Sequence, residues 1–265
     1  MKELILQKIP TECPWRDTLY WYDQIDSTNT RANELAKQGV PHGTVLLAGC
    51  QTGGRGRLGR RFHSPQGLGV YLSVILRPNC PPQQLMHLTC AAGTAMCNAV
   101  EKAAGVRPGI KWINDLVLEG KKLGGILTAL SVDPQTGLVE YAIVGIGINC
   151  CHTEADFPPE LSSIATSLRL TDCDASYAAL AGAMVSALYA MDNALLTEKA
   201  ALMARYRADC ITLGKEITVH RADTIRPGKA LDVDDDGALL VTFADGSTEA
   251  VNSGEVSVRG LYSYI

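Results

Sequence analysis

The chain has 265 residues, 46% of them hydrophobic and 20% charged, which is enough for one large domain or a main domain with a smaller satellite. Its 24 basic and 28 acidic side chains leave a formal charge of −4, so no overall field draws it to nucleic acid or to an anionic membrane, and any affinity for phosphate has to come from a local cluster. No uninterrupted apolar run approaches the width of a bilayer and the first ten residues have no signal-peptide pattern, so a cytoplasmic protein is expected.

Residues 18–25 are rich in aromatic and β-branched side chains and predict a strand. Asp26-Ser27-Thr28-Asn29 then offers N-caps and Gly39 a C′ position, predicting a helix over 27–38. A strand over 44–50 runs into a glycine-rich loop, and a second over 70–76 is closed by Arg77-Pro78. Pro82 opens an expected long helix, apolar on most sides, that ends near Gly105. Strand-like segments follow at 109–113, 122–132 and 138–149, the last two flanking the hairpin chemistry of Asp133-Pro134-Gln135-Thr136-Gly137. Residues 176–194 and 198–210 read as a helical pair. Beyond Gly214, short strands at 216–220, 238–243, 247–251 and 255–259 suggest a small β-barrel appended to an α/β domain.

Gly54-Arg55-Gly56-Arg57-Leu58-Gly59 matches the dinucleotide fingerprint in letters only, because Arg60-Arg61-Phe62-His63-Ser64-Pro65 starts no helix and no carboxylate follows at the required distance. A P-loop is excluded because Gly59 is followed by two arginines. What remains is an anion holder. Gly53, Gly54, Gly56 and Gly59 are expected to let backbone N–H groups converge on an anion, and Arg55, Arg57, Arg60 and Arg61 add forked cations. Lys111-Trp112-Ile113-Asn114-Asp115 reads either as reactive groups past a strand end or as a plain turn with Trp112 in the core. Lys122, beside Gly124 and Gly125, is either a ligand-facing cation or an edge lysine, and Gly145-Ile146-Gly147-Ile148-Asn149 is a strand that allows close approach. Nine cysteines without a C-x-x-C pair, and five histidines without ligand spacing, point to buried thiols rather than a structural metal. The acidic run 232–237 imitates a calcium loop, but Phe243 stands at its twelfth position, and a polar hairpin turn is expected.

Taken in this order, these motifs resemble the biotin protein ligase family. The residues carrying the resemblance are Asp26 to Asn29, Gln51 with the 54–60 loop, His63-Ser64-Pro65, Lys111 to Asp115, Lys122-Leu123-Gly124-Gly125-Ile126-Leu127, Gly145 to Asn149, and Gly254-Glu255-Val256-Ser257 near the end. The resemblance implies an α+β fold: a mixed sheet with flanking helices like that of class II aminoacyl-tRNA synthetases over 1–212, and an SH3-like barrel over 213–265. It implies that biotin and MgATP form biotinyl-5′-AMP, and that a lysine of the biotin carboxyl carrier domain of a biotin-dependent carboxylase then takes the biotin.

By the same resemblance, Ser27, Thr28, Asn29 and Gln51 line the biotin pocket with Gly125 beside them, and Arg55, Gly56 and Arg57 close over biotin and the phosphates. Lys122 meets the carboxylate and the α-phosphate, while Lys111, Asn114, Arg60, Phe62 and Asn149 serve ATP. Asn114 is the candidate contact to Mg²⁺, and Asp115 the group that helps deprotonate the incoming lysine. Arg57, Lys111, Asp115 and Lys122 form the catalytic set. Ile113 stands where the family usually has proline, which is expected to loosen that turn, and Phe62 where several members have tryptophan. Too few residues precede Ser27 for a helix-turn-helix, so no nucleic-acid partner is expected. A monomer and a homodimer both remain open. The alternatives are a lipoate ligase on a related fold and a non-catalytic biotin sensor.

Overall fold

The computed structural model describes residues 1–173, 175–221 and 224–252, and the backbone of 256–260. A short helix α1 (Lys2–Leu6) and a 3-10 turn (Pro14–Thr18) lead into β1 (Leu19–Tyr22). Helix α2 (Thr28–Lys37) starts where expected, with the Ser27 hydroxyl accepting from the Thr30 N–H at 3.5 Å, and stops where Gly39 takes φ +81°. Strands β2 (Thr44–Ala48) and β3 (Gly69–Leu76) follow. The expected helix from Pro82 is divided. Pro82–Leu85 forms a 3-10 turn, and α3 (Leu88–Ala104) begins only after His87, ending at a left-handed Gly105.

Next come β4 (Gly109–Lys111), β5 (Asp115–Leu118), β6 (Lys121–Val132) and β7 (Val139–Asn149). Then α4 (Pro159–Ser162), α5 (Tyr177–Leu195) and α6 (Lys199–Asp209) complete the larger part. The seven strands form one sheet in the order β1-β2-β3-β7-β6-β5-β4, parallel only between β1 and β2. Alternation along the strands sorts the core into two layers. Val45, Leu47, Val70, Leu72 and Val74 face a layer built with α3 and α5, while Leu46 and Ile75 face Ala32, Leu35 and Ala36 of α2. Helix α5 is long and apolar enough to cross a membrane by length and composition, with a mean hydropathy of 1.2, but 56% of that stretch is buried and it packs on α3.

The second sheet consists of β8 (Glu216–Arg221), β9 (Thr224–Val233), β10 (Leu239–Phe243), β11 (Thr248–Val251) and β12 (Val256–Gly260), antiparallel throughout in the order β11-β10-β9-β8-β12. Ile217, Val219, Ala230, Val233, Leu239, Val241, Phe243 and Val251 are buried side chains of its described strands. Gly254 and Glu255 of the family pattern lie outside the described residues. The protein is thus a mixed α+β fold with a large mixed sheet and a separate small antiparallel one. The acidic run is the β9–β10 turn, and it docks on α6. Asp235 meets Arg207 at 2.6 Å, Asp236 meets Lys199, and Arg207 Nε donates to the Val233 carbonyl at 2.6 Å.

Candidate active site

A cleft of about 580 Å³ opens between the N-terminus of α2, the glycine-rich loop, the β4–β5 turn, β6 and β7. At one end the buried groups are neutral. Gln51 Oε1 accepts from the backbone N–H of Thr28 at 2.9 Å and from its hydroxyl at 3.1 Å, and Gln51 Nε2 donates to Ser64 Oγ at 3.0 Å. Ser73 Oγ lies 2.8 Å from Thr28 Oγ1 and 2.6 Å from Asn29 Oδ1, and Asn29 Nδ2 donates to the Leu127 carbonyl at 3.3 Å. Ser27, Thr28, Asn29 and Gln51 all line the cleft. Ser73, fully buried, was not expected; a lone serine inside the apolar run of β3 was the signal that could have found it. Such a network of fixed donors and acceptors suits a compact polar ligand such as a ureido ring.

Gly145 leaves room for this arrangement, because a Cβ there would lie 1.8 Å from Asn29 Oδ1. Gly145→Ala is therefore expected to push Asn29 aside and raise the Michaelis constant for the ligand of this pocket about tenfold, the equivalent of one or two lost hydrogen bonds. Titration with the ligand checks this, and an unchanged constant would exclude Asn29 from the pocket. Gly147 has a parallel role under the Phe62 ring, which a Cβ would approach to 2.4 Å.

At the other end the groups are charged. Lys122 Nζ meets Asp115 Oδ1 at 2.6 Å, with side chains 30% and 19% exposed, and both border the floor left open by Gly125. Lys122 thus faces the cleft rather than an outer edge. Arg57 reaches across from the loop, donating from Nη1 to Asn114 Oδ1 at 3.0 Å, and desolvation holds its guanidinium below the usual arginine range. Lys111, Arg55, Arg60, Arg61 and His63 complete this end.

The turn carrying Asn114 and Asp115 is also a structural one. Trp112 and Ile113 are each 4% exposed, and their peptide bond is cis. The backbone N–H of Trp112 donates to Thr212 Oγ1 and its indole to the Gly237 carbonyl, while Tyr206 donates to the Ile113 carbonyl. Asn114 is pinned as well, accepting at its carbonyl from Ile126 N and donating from Nδ2 to the Ile126 carbonyl. Partners from α6, β6, Thr212 and the β9–β10 turn thus hold the segment that carries Ile113.

The glycine-rich loop corrects a second expectation. Its N–H groups do not all converge on the cleft. Gly53 donates to the Asp26 carbonyl at 2.8 Å and Gly56 to the Arg60 carbonyl at 2.7 Å, so the loop closes on itself and the arginines carry the positive charge. Gly54 is required by crowding, with a Cβ site 2.4 Å from the Phe62 carbonyl, and Gly59 by φ +73°.

The far wall was missed from sequence. Phe157, Leu161, Ile164 and Ala165 line the cleft from a segment that has only short turns and α4, and hence no periodicity. It is strapped to β6, since Lys122 N donates to the Ile164 carbonyl and Thr166 N to the Lys122 carbonyl. Asn149, expected to serve ATP, lines the cleft but donates its amide to the Thr166 carbonyl at 2.9 Å and so holds this wall. Behind it, buried His152 stacks on Phe157 at 4.8 Å. Burial, reinforced by nearby His63, pushes the His152 imidazole down to about 4. The unfolded chain then binds the extra proton first, so the His152 contribution to stability is complete above about pH 6.5 and is lost as pH drops toward 4, by at most about 1.4 kcal/mol per unit. His152→Phe is expected to flatten this part of the Tm–pH curve. Identical curves for parent and variant would acquit His152.

Residues 21–149 match the biotin/lipoate A/B protein ligase family, and 212–259 match the biotin protein ligase C terminal domain. The chain is 36% identical over 239 residues to the bifunctional ligase/repressor BirA of Bacillus subtilis, covering 86% of this chain and 70% of that protein. It is 31% identical over 241 residues to the biotin–[acetyl-CoA-carboxylase] ligase of Mycobacterium tuberculosis, covering 88% and 86%. The chain belongs to the biotin protein ligase family. Among solved members, the biotin protein ligase of Aquifex aeolicus in complex with biotin and ATP superposes with a TM-score of 0.74 at 28% identity, over 92% of this chain and 99% of the other. The match over 21–149 runs from the strand before Ser27 to Asn149, so it takes in both ends of the cleft.

Proposed function

We propose that this biotin protein ligase family member is an ATP-dependent enzyme that joins biotin to AMP and passes the biotin to a lysine of a biotin carboxyl carrier domain. The observation that carries this is one cleft with two chemistries: a neutral hydroxyl–amide network at one end and the Lys122, Arg57 and Lys111 cations at the other. Biotin's ureido group suits the first end and leaves its carboxylate at the second. There a carboxylate oxygen attacks the α-phosphorus of ATP, and pyrophosphate departs. Lys122 holds the carboxylate and a phosphate oxygen together, offsetting the repulsion between like charges as the pentavalent centre forms. Lys111, Arg55 and Arg60 take the remaining phosphate charge, and Phe62 flanks the nucleotide.

Among the described residues no group of three or more His, Cys, Asp or Glu is placed to hold a metal ion. Asn114 and Asp115 are hard oxygen donors, a set that suits Mg²⁺ keeping most of its ligands from water and phosphate. The ion is thus read as part of the MgATP substrate, with Asn114 the group offered to it; it neutralises phosphate charge when bound. In the second half-reaction the carrier lysine attacks the acyl carbonyl and AMP leaves, with Asp115 helping to remove the lysine's proton.

Finer features belong to the same reading. We take 1–212 as a catalytic domain with a class II synthetase-like sheet and 213–265 as an SH3-like barrel. The protein is read as cytoplasmic, acting as a monomer or homodimer with neither nucleic acid nor membrane as partner. Lipoate is the competing substrate, and the hydroxyl–amide network argues against its apolar ring. Biotin-dependent ATP–pyrophosphate exchange followed by labelling of a carrier domain tests the proposal. Exchange driven by lipoate and not by biotin would overturn it, and salt-dependent operator binding without exchange would favour a sensor.

A further inference from the structure

Strand β7 leaves the sheet at Asn149, and the next two residues are both cysteines. In an extended strand consecutive side chains point to opposite faces. Here the backbone N–H groups of Cys150 and Cys151 both donate to the Leu68 carbonyl, at 3.0 and 2.7 Å, and the chain turns over that single oxygen. The turn brings the two Sγ atoms to 3.6 Å of one another. Cys150 is buried, with its thiol directed at the Ala175 carbonyl, while Cys151 is half-buried and gives access from outside.

A disulfide would require the sulfurs to close to about 2.05 Å. One soft atom held by two bonds of about 2.3 Å, as in a metal thiolate, spans the observed gap with the backbone where it is. We propose that Cys150 and Cys151 form a dithiol site for trivalent arsenic, and that capture there shuts down the cleft. The step is an exchange without redox change. An aryl arsenic(III) oxide loses its oxygen, which leaves as water with the two thiol protons, and two As–S bonds form.

The consequence for the cleft follows from what the junction holds. The Asn149 carbonyl accepts from Leu168 N and the Cys150 carbonyl from Arg169 N, while the Asn149 amide holds the Thr166 carbonyl. These bonds carry the wall bearing Phe157 and Leu161, so a bulky group between the thiols displaces it. This second part rests on the ligase reading above.

The test uses the full reduced chain with one equivalent of phenylarsine oxide. Intact mass is expected to show one phenylarsenic group replacing two thiol hydrogens, removed by 2,3-dimercaptopropanol and not by glutathione at equal thiol concentration. Cys151→Ser is expected to keep its fold by circular dichroism, keep basal activity and lose the stable adduct. Cys50→Ser and Cys173→Ser, at the other half-exposed cysteines, should retain it. A stable adduct on Cys151→Ser would overturn the site. Loading should lower biotin-dependent pyrophosphate exchange at least about tenfold in the parent and not in Cys151→Ser. Undiminished exchange by the loaded parent would overturn the coupling to the cleft. Absence of exchange before any treatment would instead count against the ligase reading, with the adduct still readable by mass.

Discussion

Lys122→Ala is expected to lower biotin-dependent ATP–pyrophosphate exchange by about 10²–10³-fold, the range for losing one preorganised stabiliser of transition-state charge. The cation sits 2.6 Å from Asp115 and against the open floor of Gly125, so it is aimed before any substrate arrives. Asp115 loses the Lys122 contact in the variant, but both side chains are partly exposed, and the cost in stability is held to roughly 1 kcal/mol. The strap to residues 164–166 uses the backbone of Lys122 and survives the substitution. A thermal melt therefore separates the two effects: exchange collapses while Tm moves little. Lys122→Arg should restore only part of the rate, because a planar fork replaces a compact ammonium in a confined space. Carrier biotinylation at the parent rate in Lys122→Ala would remove Lys122 from the chemistry.

Much of this site was legible because its signals are local. Ser27 as a cap, Gly39 as a stop and the Asp133–Gly137 turn each announce a boundary within a few residues, and α2 and the β6–β7 hairpin form there. β5 was missed because its four residues lie between two turns, and β9 because Pro227 and its charged residues disguise a ten-residue strand. The wall at 157–165 has no period to detect; it is defined by backbone bonds to a strand some forty residues earlier. The loop's glycines promised an anion nest, but whether an N–H faces a ligand or a neighbouring carbonyl depends on closure of the loop, which Gly56 and Arg60 decide between themselves. The Lys111–Asp115 segment defeated a choice between catalysis and structure because it does both. Trp112 and Ile113 are core, and the residues on either side of them line the cleft.

Arg57→Ala is expected to leave adenylate formation impaired but present, and to make the enzyme indiscriminate. Arg57 is the one arginine of the loop seen to bond the opposite wall, through Asn114 Oδ1 at 3.0 Å among the described residues. Both residues line the cleft, and burial there lowers the Arg57 guanidinium below its ordinary range. A hydrogen bond to a charged group contributes about 1.5–3 kcal/mol, so its loss should raise the rate of loop opening roughly 10- to 100-fold. A mixed anhydride released into water acylates accessible amines in competition with its hydrolysis. The variant should therefore label lysines of a bystander protein such as serum albumin, in proportion to the adenylate it releases, while the parent labels only the carrier domain. The other loop arginines are exposed and offer no equivalent latch, so Arg61→Ala should remain selective. If Arg57→Ala stays carrier-selective at the parent rate, the loop is closed by something other than this bond, and water exclusion must be credited to Phe62 and the 157–165 wall instead.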